Sequence, residues 1–191
     1  MGIFERYGRL PHHFMGETMI KETKVESEFF ENPGLTSFKC ADAIEISLFI
    51  EKEGLAFYEK AAKNVFEHKI KAMFLRLAEE EREHIQILQT KIQFLRPTIY
   101  AKAAKSETLV SFIREQIEDK IFPTFDKNFA KEFKNDLDVL EYGIECEKRS
   151  IQVLNDLLAN EKKLDVKSIF AHLVVEEKKH LLLLEELKAK I

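Results

Sequence analysis

Glu177-Lys178-Lys179-His180 decides the fold, because Glu81-Arg82-Glu83-His84 has the same form 96 positions earlier (180 − 96 = 84). Both tetrads read Glu-x-x-His within long stretches of helical periodicity. Residues three apart on a helix share a face, so each Glu and its His point the same way. Thirty positions before each Glu stands another acid, Glu51 (81 − 30) and Glu147 (177 − 30), and the same offset of 96 joins these two. It also pairs Asp42 with Asp138, Asn64 with Asn160, Phe74 with Phe170 and Leu77 with Leu173. One Glu-x-x-His is a weak signal in a chain that is 34% charged. Two of them with matched upstream acids mark a duplicated helical hairpin.

Composition bounds what such a chain does. Its 191 residues suffice for one substantial core, and a hydrophobic fraction of 45% suits a globular protein. With a net charge of −4 there is no basic excess to recruit nucleic acid or an anionic membrane surface. The two cysteines, Cys40 and Cys146, form no C-x-x-C pair and read as reduced, buried thiols. The charged N-terminus has no apolar signal region, and no apolar run reaches membrane-spanning length, so a cytoplasmic location is expected.

Residues 1–35 read as an irregular N-terminal arm, broken by Gly2, Gly8, Pro11, Gly16, Pro33 and Gly34. His12-His13 in this arm is more simply an exposed loop pair than a metal site. Residues 36–191 read as an antiparallel four-helix bundle. The first helix begins at a Thr36 or Ser37 cap, carries the stripe Ile44, Leu48, Leu55, Tyr58 and Ala62, and ends at Asn64. The second runs from Lys69 to Leu95 and is stopped by Pro97, with Phe74, Leu77 and Leu88 facing inward. A long crossover over 97–135 contains a short helix from Ser106. The third bundle helix spans 135–159 with Leu140, Ile144, Ile151, Leu154 and Leu158 inside, and the fourth starts at an Asp165 cap. Short links within each half and a long one between them suit two hairpins packed about a pseudo-twofold axis.

In this reading Glu51, Glu81, His84, Glu147, Glu177 and His180 all fall on inner stripes. A single buried acid is usually paired with a base, but four meeting at mid-bundle repel one another and cost several kcal/mol each to desolvate. Two divalent ions would bring +4 against the −4 of four ionised glutamates. Carboxylates and imidazoles without thiolate suit iron or manganese, and zinc less well.

The segments Ile50-Glu51-Lys52-Glu53-Gly54-Leu55-Ala56-Phe57-Tyr58 and Leu77-Ala78-Glu79-Glu80-Glu81-Arg82-Glu83-His84 resemble the rubrerythrin-type branch of the ferritin-like superfamily. Glu145-Cys146-Glu147-Lys148-Arg149-Ser150 and Val175-Glu176-Glu177-Lys178-Lys179-His180 resemble its second hairpin. The resemblance covers about residues 38–95 and 136–190. It implies an all-α, ferritin-like four-helix bundle with a long crossover between the second and third bundle helices, and a di-iron centre. Glu81 and Glu177 would bridge two irons, Glu51 and His84 would complete one, and Glu147 and His180 the other. Tyr58, one face with Glu51, would be a hydrogen-bond partner to a ligand or simply a core aromatic. The implied activity is reduction of hydrogen peroxide or dioxygen, with ferroxidase activity the next reading and a slow iron-binding or storage role the alternative. The rubredoxin-like four-cysteine site of rubrerythrins has no counterpart in this chain, so a separate electron donor such as a rubredoxin-like protein is expected, and a homodimer. The sequence gives no sign of a pocket for an organic substrate.

Overall fold

The computed structural model describes residues 38–99, 107–118, 120–122 and 133–191. Among these are five helices and no strand: α1 (Cys40–Asn64), α2 (His68–Ile99), α3 (Glu107–Gln116), α4 (Asp136–Asn160) and α5 (Leu164–Lys188). The expected all-α, ferritin-like bundle is thus the fold, with α1, α2, α4 and α5 as its helices and α3 as the short crossover helix. The arm over 1–35, His12-His13 and the Thr36 and Ser37 caps lie outside the described residues.

Three boundaries differ from expectation. The described part of α1 begins at Cys40, where the Asp42 carboxylate accepts the Lys39 N–H at 2.8 Å. α2 continues past Pro97 to Ile99. A proline forfeits one backbone hydrogen bond, and in α2 that loss does not stop the helix before Ile99. α5 starts one residue before Asp165, which lies in its first turn rather than capping it; its carboxylate accepts the Val166 N–H at 2.9 Å and faces Cys40 Sγ at 3.0 Å. Asn135 does cap α4, accepting the Asp138 N–H at 3.0 Å.

Two acids tie the hairpins together. Asp136, at the start of α4, accepts the Phe66 and Glu67 N–H groups of the α1–α2 turn at 2.7 and 2.5 Å. Glu161, just after α4, accepts the Phe38 N–H ahead of α1 at 2.9 Å, and those of Lys162 and Lys163. α4 therefore starts where α1 ends and ends where α1 starts. It runs antiparallel to α1 and parallel to α2, and only a connection as long as the bundle can join α2 to it, roughly 37 Å for a helix of 25 residues. α1 packs on α2, α4 on α5, and α5 also on α1 and α2.

Most of the predicted stripe residues are in the core: Ile44, Leu48, Tyr58, Ala62, Phe74, Leu77, Leu88, Leu140, Ile144 and Leu154 are buried, whereas Leu55, Ile151 and Leu158, expected inside, are half-buried at the edges of their stripes. On α5, Phe170, Leu173, Leu184 and Leu187 are buried. Phe57, outside the predicted stripe, joins a knot of rings with Tyr58, Phe74, Tyr142 and Phe122, centroids 5.3 to 6.1 Å away. Phe122 and Ile121 bring the crossover into this core. Cys146 is buried as expected, whereas Cys40 is only half-buried, because it opens α1 at the edge of the bundle; neither forms a disulfide.

Candidate metal centre

Each helix of the bundle brings its predicted residues to one place. Glu51 comes from α1, Glu81 and His84 from α2, Glu147 from α4, and Glu177 and His180 from α5. Five of the six are buried, and His84 is half-buried. Their donor atoms form two groups within 4.8 Å: Glu51, Glu81 and His84, and Glu81, Glu147, Glu177 and His180. Glu81 belongs to both groups. Glu177 belongs only to the second, because the Ser150 hydroxyl donates to its Oε1 at 2.7 Å and holds it toward α4.

Both imidazoles aim Nδ1 inward. His84 Nδ1 lies 3.3 Å from Glu51 Oε2 and 3.9 Å from Glu81 Oε2. His180 Nδ1 lies 3.3, 3.5 and 3.8 Å from oxygens of Glu81, Glu177 and Glu147. The rings are nearly parallel, with centroids 5.8 Å apart. Tyr58 donates to Glu147 Oε1, so the hydroxyl expected near the first upstream acid instead holds the second one, across the bundle.

Charge crowding moves the protons. Burial pushes the Glu51 carboxyl far above the usual range, helped by its hydrogen bond with Glu81 and the charges of Glu177 and Glu147. Burial also raises Glu147, with the Glu177 charge adding to it. Burial pushes Glu81 up too, but its hydrogen bond with Glu51 and the close His180 and His84 rings outweigh it and hold Glu81 at about 2. For His180, burial favours the neutral ring, yet the carboxylates of Glu177, Glu81 and Glu147 lift it to about 11. Protons on Glu51, Glu147 and His180 thus neutralise what cations would otherwise neutralise.

Some signals escaped the sequence. His180 Nε2 faces Glu80 at 3.5 Å and His84 Nε2 faces Glu176 at 3.8 Å, each acid belonging to the opposite hairpin. Glu80 and Glu176 are themselves 96 apart (176 − 80), a repeat that marks them as partners. An acid on the outer nitrogen fixes a ligating imidazole's tautomer and orientation. Gly54 is the repeat mate of Ser150 (150 − 96); a Cβ there would stand 3.0 Å from Glu81 Oε1. With glycine here the shared carboxylate lies close against the α1 backbone, and a side chain would make it give way. A cavity of about 210 Å³, unforeseen in the sequence, opens onto Glu51 and His84.

The sequence model of the family described as Rubrerythrin matches residues 42–188, which includes all six residues and both hairpins. The chain belongs to the rubrerythrin family. No curated protein and no solved structure matches it. In this rubrerythrin-family chain the donor set fits a metal pair on a physical ground. Glu81 Oε2, Glu147 Oε2 and both ring nitrogens of His180 are buried with no directed hydrogen bond, and such orphaned atoms cost stability unless an ion or water meets them. Family and cluster together indicate a metal site suited to iron. No described helix is long and apolar enough to cross a membrane.

Proposed function

We propose that the chain is a non-haem di-iron oxidoreductase that reduces hydrogen peroxide or dioxygen. The reading is carried by the two overlapping carboxylate–imidazole groups that share the buried Glu81. In this proposal Glu51, Glu81 and His84 hold one ion, and Glu81, Glu147, Glu177 and His180 the other; manganese or zinc are substitutes with the same donors. The ferrous pair would supply two electrons to the O–O bond.

The chain's own residues do the rest. Tyr58 and Ser150 orient Glu147 and Glu177. Glu80 and Glu176 lie 3.5 and 3.8 Å behind the two rings, placed to take up an outer N–H once metal holds the inner nitrogens. The Phe57, Tyr58 and Phe74 rings keep water from one side, and a cavity gives an approach by Glu51 and His84. Two cysteines supply no four-cysteine iron site, so re-reduction falls to a separate donor, a rubredoxin-like protein by its chemistry.

Anaerobic stopped-flow mixing of the di-ferrous protein with hydrogen peroxide, and separately with dioxygen, tests this. We expect near-ultraviolet absorbance from the ferric pair within seconds for at least one oxidant. If neither produces it, the redox assignment fails and slow iron handling becomes the better reading.

A further inference from the structure

Hydrogen peroxide is small and polar, and the cavity that leads to Glu51 and His84 is larger than it needs and mostly apolar. It measures about 210 Å³, whereas a cavity of about 150 Å³ is enough for a benzene ring. Its inner end is Glu51 and His84, the less enclosed of the two groups, with the His84 side chain 19% exposed. Its apolar wall is Ile44 of α1, Leu88 of α2, and Ile169 and Leu173 of α5, while Ser47, Lys91, Ser168, His172 and Glu176 supply polar edges. Ile44, Leu88 and Leu173 are buried in the protein. The apolar stretch of wall on three helices is more than hydrogen peroxide needs. It suits a molecule with an apolar body and one polar end directed at the metal face.

We infer that the cavity binds the alkyl group of an organic hydroperoxide, ROOH, with R of about four to six carbons by the volume comparison above. The inference rests on the peroxide-reducing reading and names the substrate class of that site. The balance is simple. The O–O bond breaks, two electrons from a ferrous pair and two protons from solvent are taken up, and ROH and water leave. The chain contributes the position: the alkyl body lies against Ile44, Leu88, Ile169 and Leu173, which leaves the hydroperoxide group at Glu51 and His84.

The test begins without turnover. In the redox-inert di-zinc protein, titrated with pentyl hydroperoxide, the methyl resonances of Ile44, Leu88 and Ile169 should shift saturably, while hydrogen peroxide leaves them unchanged. Absence of the shifts overturns the inference. The di-ferrous protein is then mixed with both peroxides. Pentyl hydroperoxide should half-saturate the oxidation at about a tenfold lower concentration than hydrogen peroxide, since apolar contacts discriminate at roughly that level. Ile169→Phe, and Ile87→Trp at the exposed rim, should remove that advantage, read as the ratio of the two half-saturating concentrations within each variant. Should hydrogen peroxide oxidise the centre while the alkyl peroxide shows no advantage, the cavity assignment is wrong and the redox reading stands. Should neither react, the redox reading itself is wrong.

Discussion

The two halves of the metal centre come from one repeated pattern, and they are not equivalent. In the second half Glu147 accepts a hydrogen bond from Tyr58, Glu177 accepts one from Ser150, and the His180 side chain is 1% exposed. In the first half the mates of those anchors are Leu154 (58 + 96) and Gly54, which have no hydroxyl, and the His84 side chain is 19% exposed beside a cavity. Duplication preserved the six donors, and their surroundings diverged. The second half is a closed, oriented cage with four donors. The first has three donors and an open side. An ion held by fewer, less fixed donors keeps room for an exchangeable partner, as catalytic metal sites do, while a filled cage serves position and charge.

The strongest way to break this comparison is to remove a donor. Glu81 sits in both groups and Glu177 in one. Elemental analysis should therefore find most metal lost from Glu81→Ala, against two ions in the parent. Glu177→Ala should keep about one ion, held in the first half. Equal loss from both variants would mean that Glu177 swings into the first group once metal is present, and that the halves are alike when loaded.

Protons sharpen the picture next. Glu51, Glu147 and His180 all have folded pKa values above their unfolded ones. For each, the native state binds more protons than the unfolded chain once pH exceeds the unfolded value, so stability falls as pH rises. Glu81 has the opposite sign: its contribution is complete above its ordinary 4.5 and is lost only as pH falls toward about 2. The metal-free protein should thus be most stable near pH 5 and lose melting temperature steadily to pH 8. Metal replaces the protons, so loading at pH 7.5 should release about three protons per chain and flatten the pH dependence. A melting temperature of the metal-free protein that rises from pH 5 to 8 would contradict the proton placement.

Much of this centre was legible because ligand chemistry tolerates few residue types. Four glutamates and two histidines at one offset stand out even in a charged chain, and inner-stripe register put them together before any coordinates. The helices followed from the same periodicity, and even the pairing of hairpins from the loop lengths. The errors have local causes. Pro97 costs α2 one hydrogen bond without ending it before Ile99, and Asp165 is displaced from the cap by a helix that starts at Leu164. Tyr58 was picked out, but its partner was not, because a tyrosine reaches across the bundle and sequence spacing speaks only for its own helix. Glu80 and Glu176 were hidden among 34 acidic residues, although their offset of 96 was there to see. The cavity had no sequence signature at all: it is a gap between side chains of three helices, and gaps depend on the packing angle.

The finest test exchanges the anchors. Tyr58 is fully buried, and Tyr58→Phe keeps its ring against Phe57 and Phe74 while removing the hydroxyl that Glu147 accepts. Ser150→Ala likewise frees Glu177 Oε1. Outer partners of this kind are worth roughly tenfold or more in metal affinity each. In the parent, calorimetric titration with an inert divalent ion such as zinc should resolve two steps, the tighter one belonging to the four-donor group. Each variant should weaken the tight step by about tenfold and hardly touch the other, and the double variant should bring the two steps together. Freed of Ser150, Glu177 can also turn toward the first group, which would strengthen the weak step slightly and narrow the gap from both sides. If the two steps stay as far apart in the double variant as in the parent, the anchors are not what separates the halves. The difference would then lie in donor number and in the open cavity beside Glu51 and His84, and a bulky residue at Ile169, not a lost hydroxyl, would be the change that shifts the weak step.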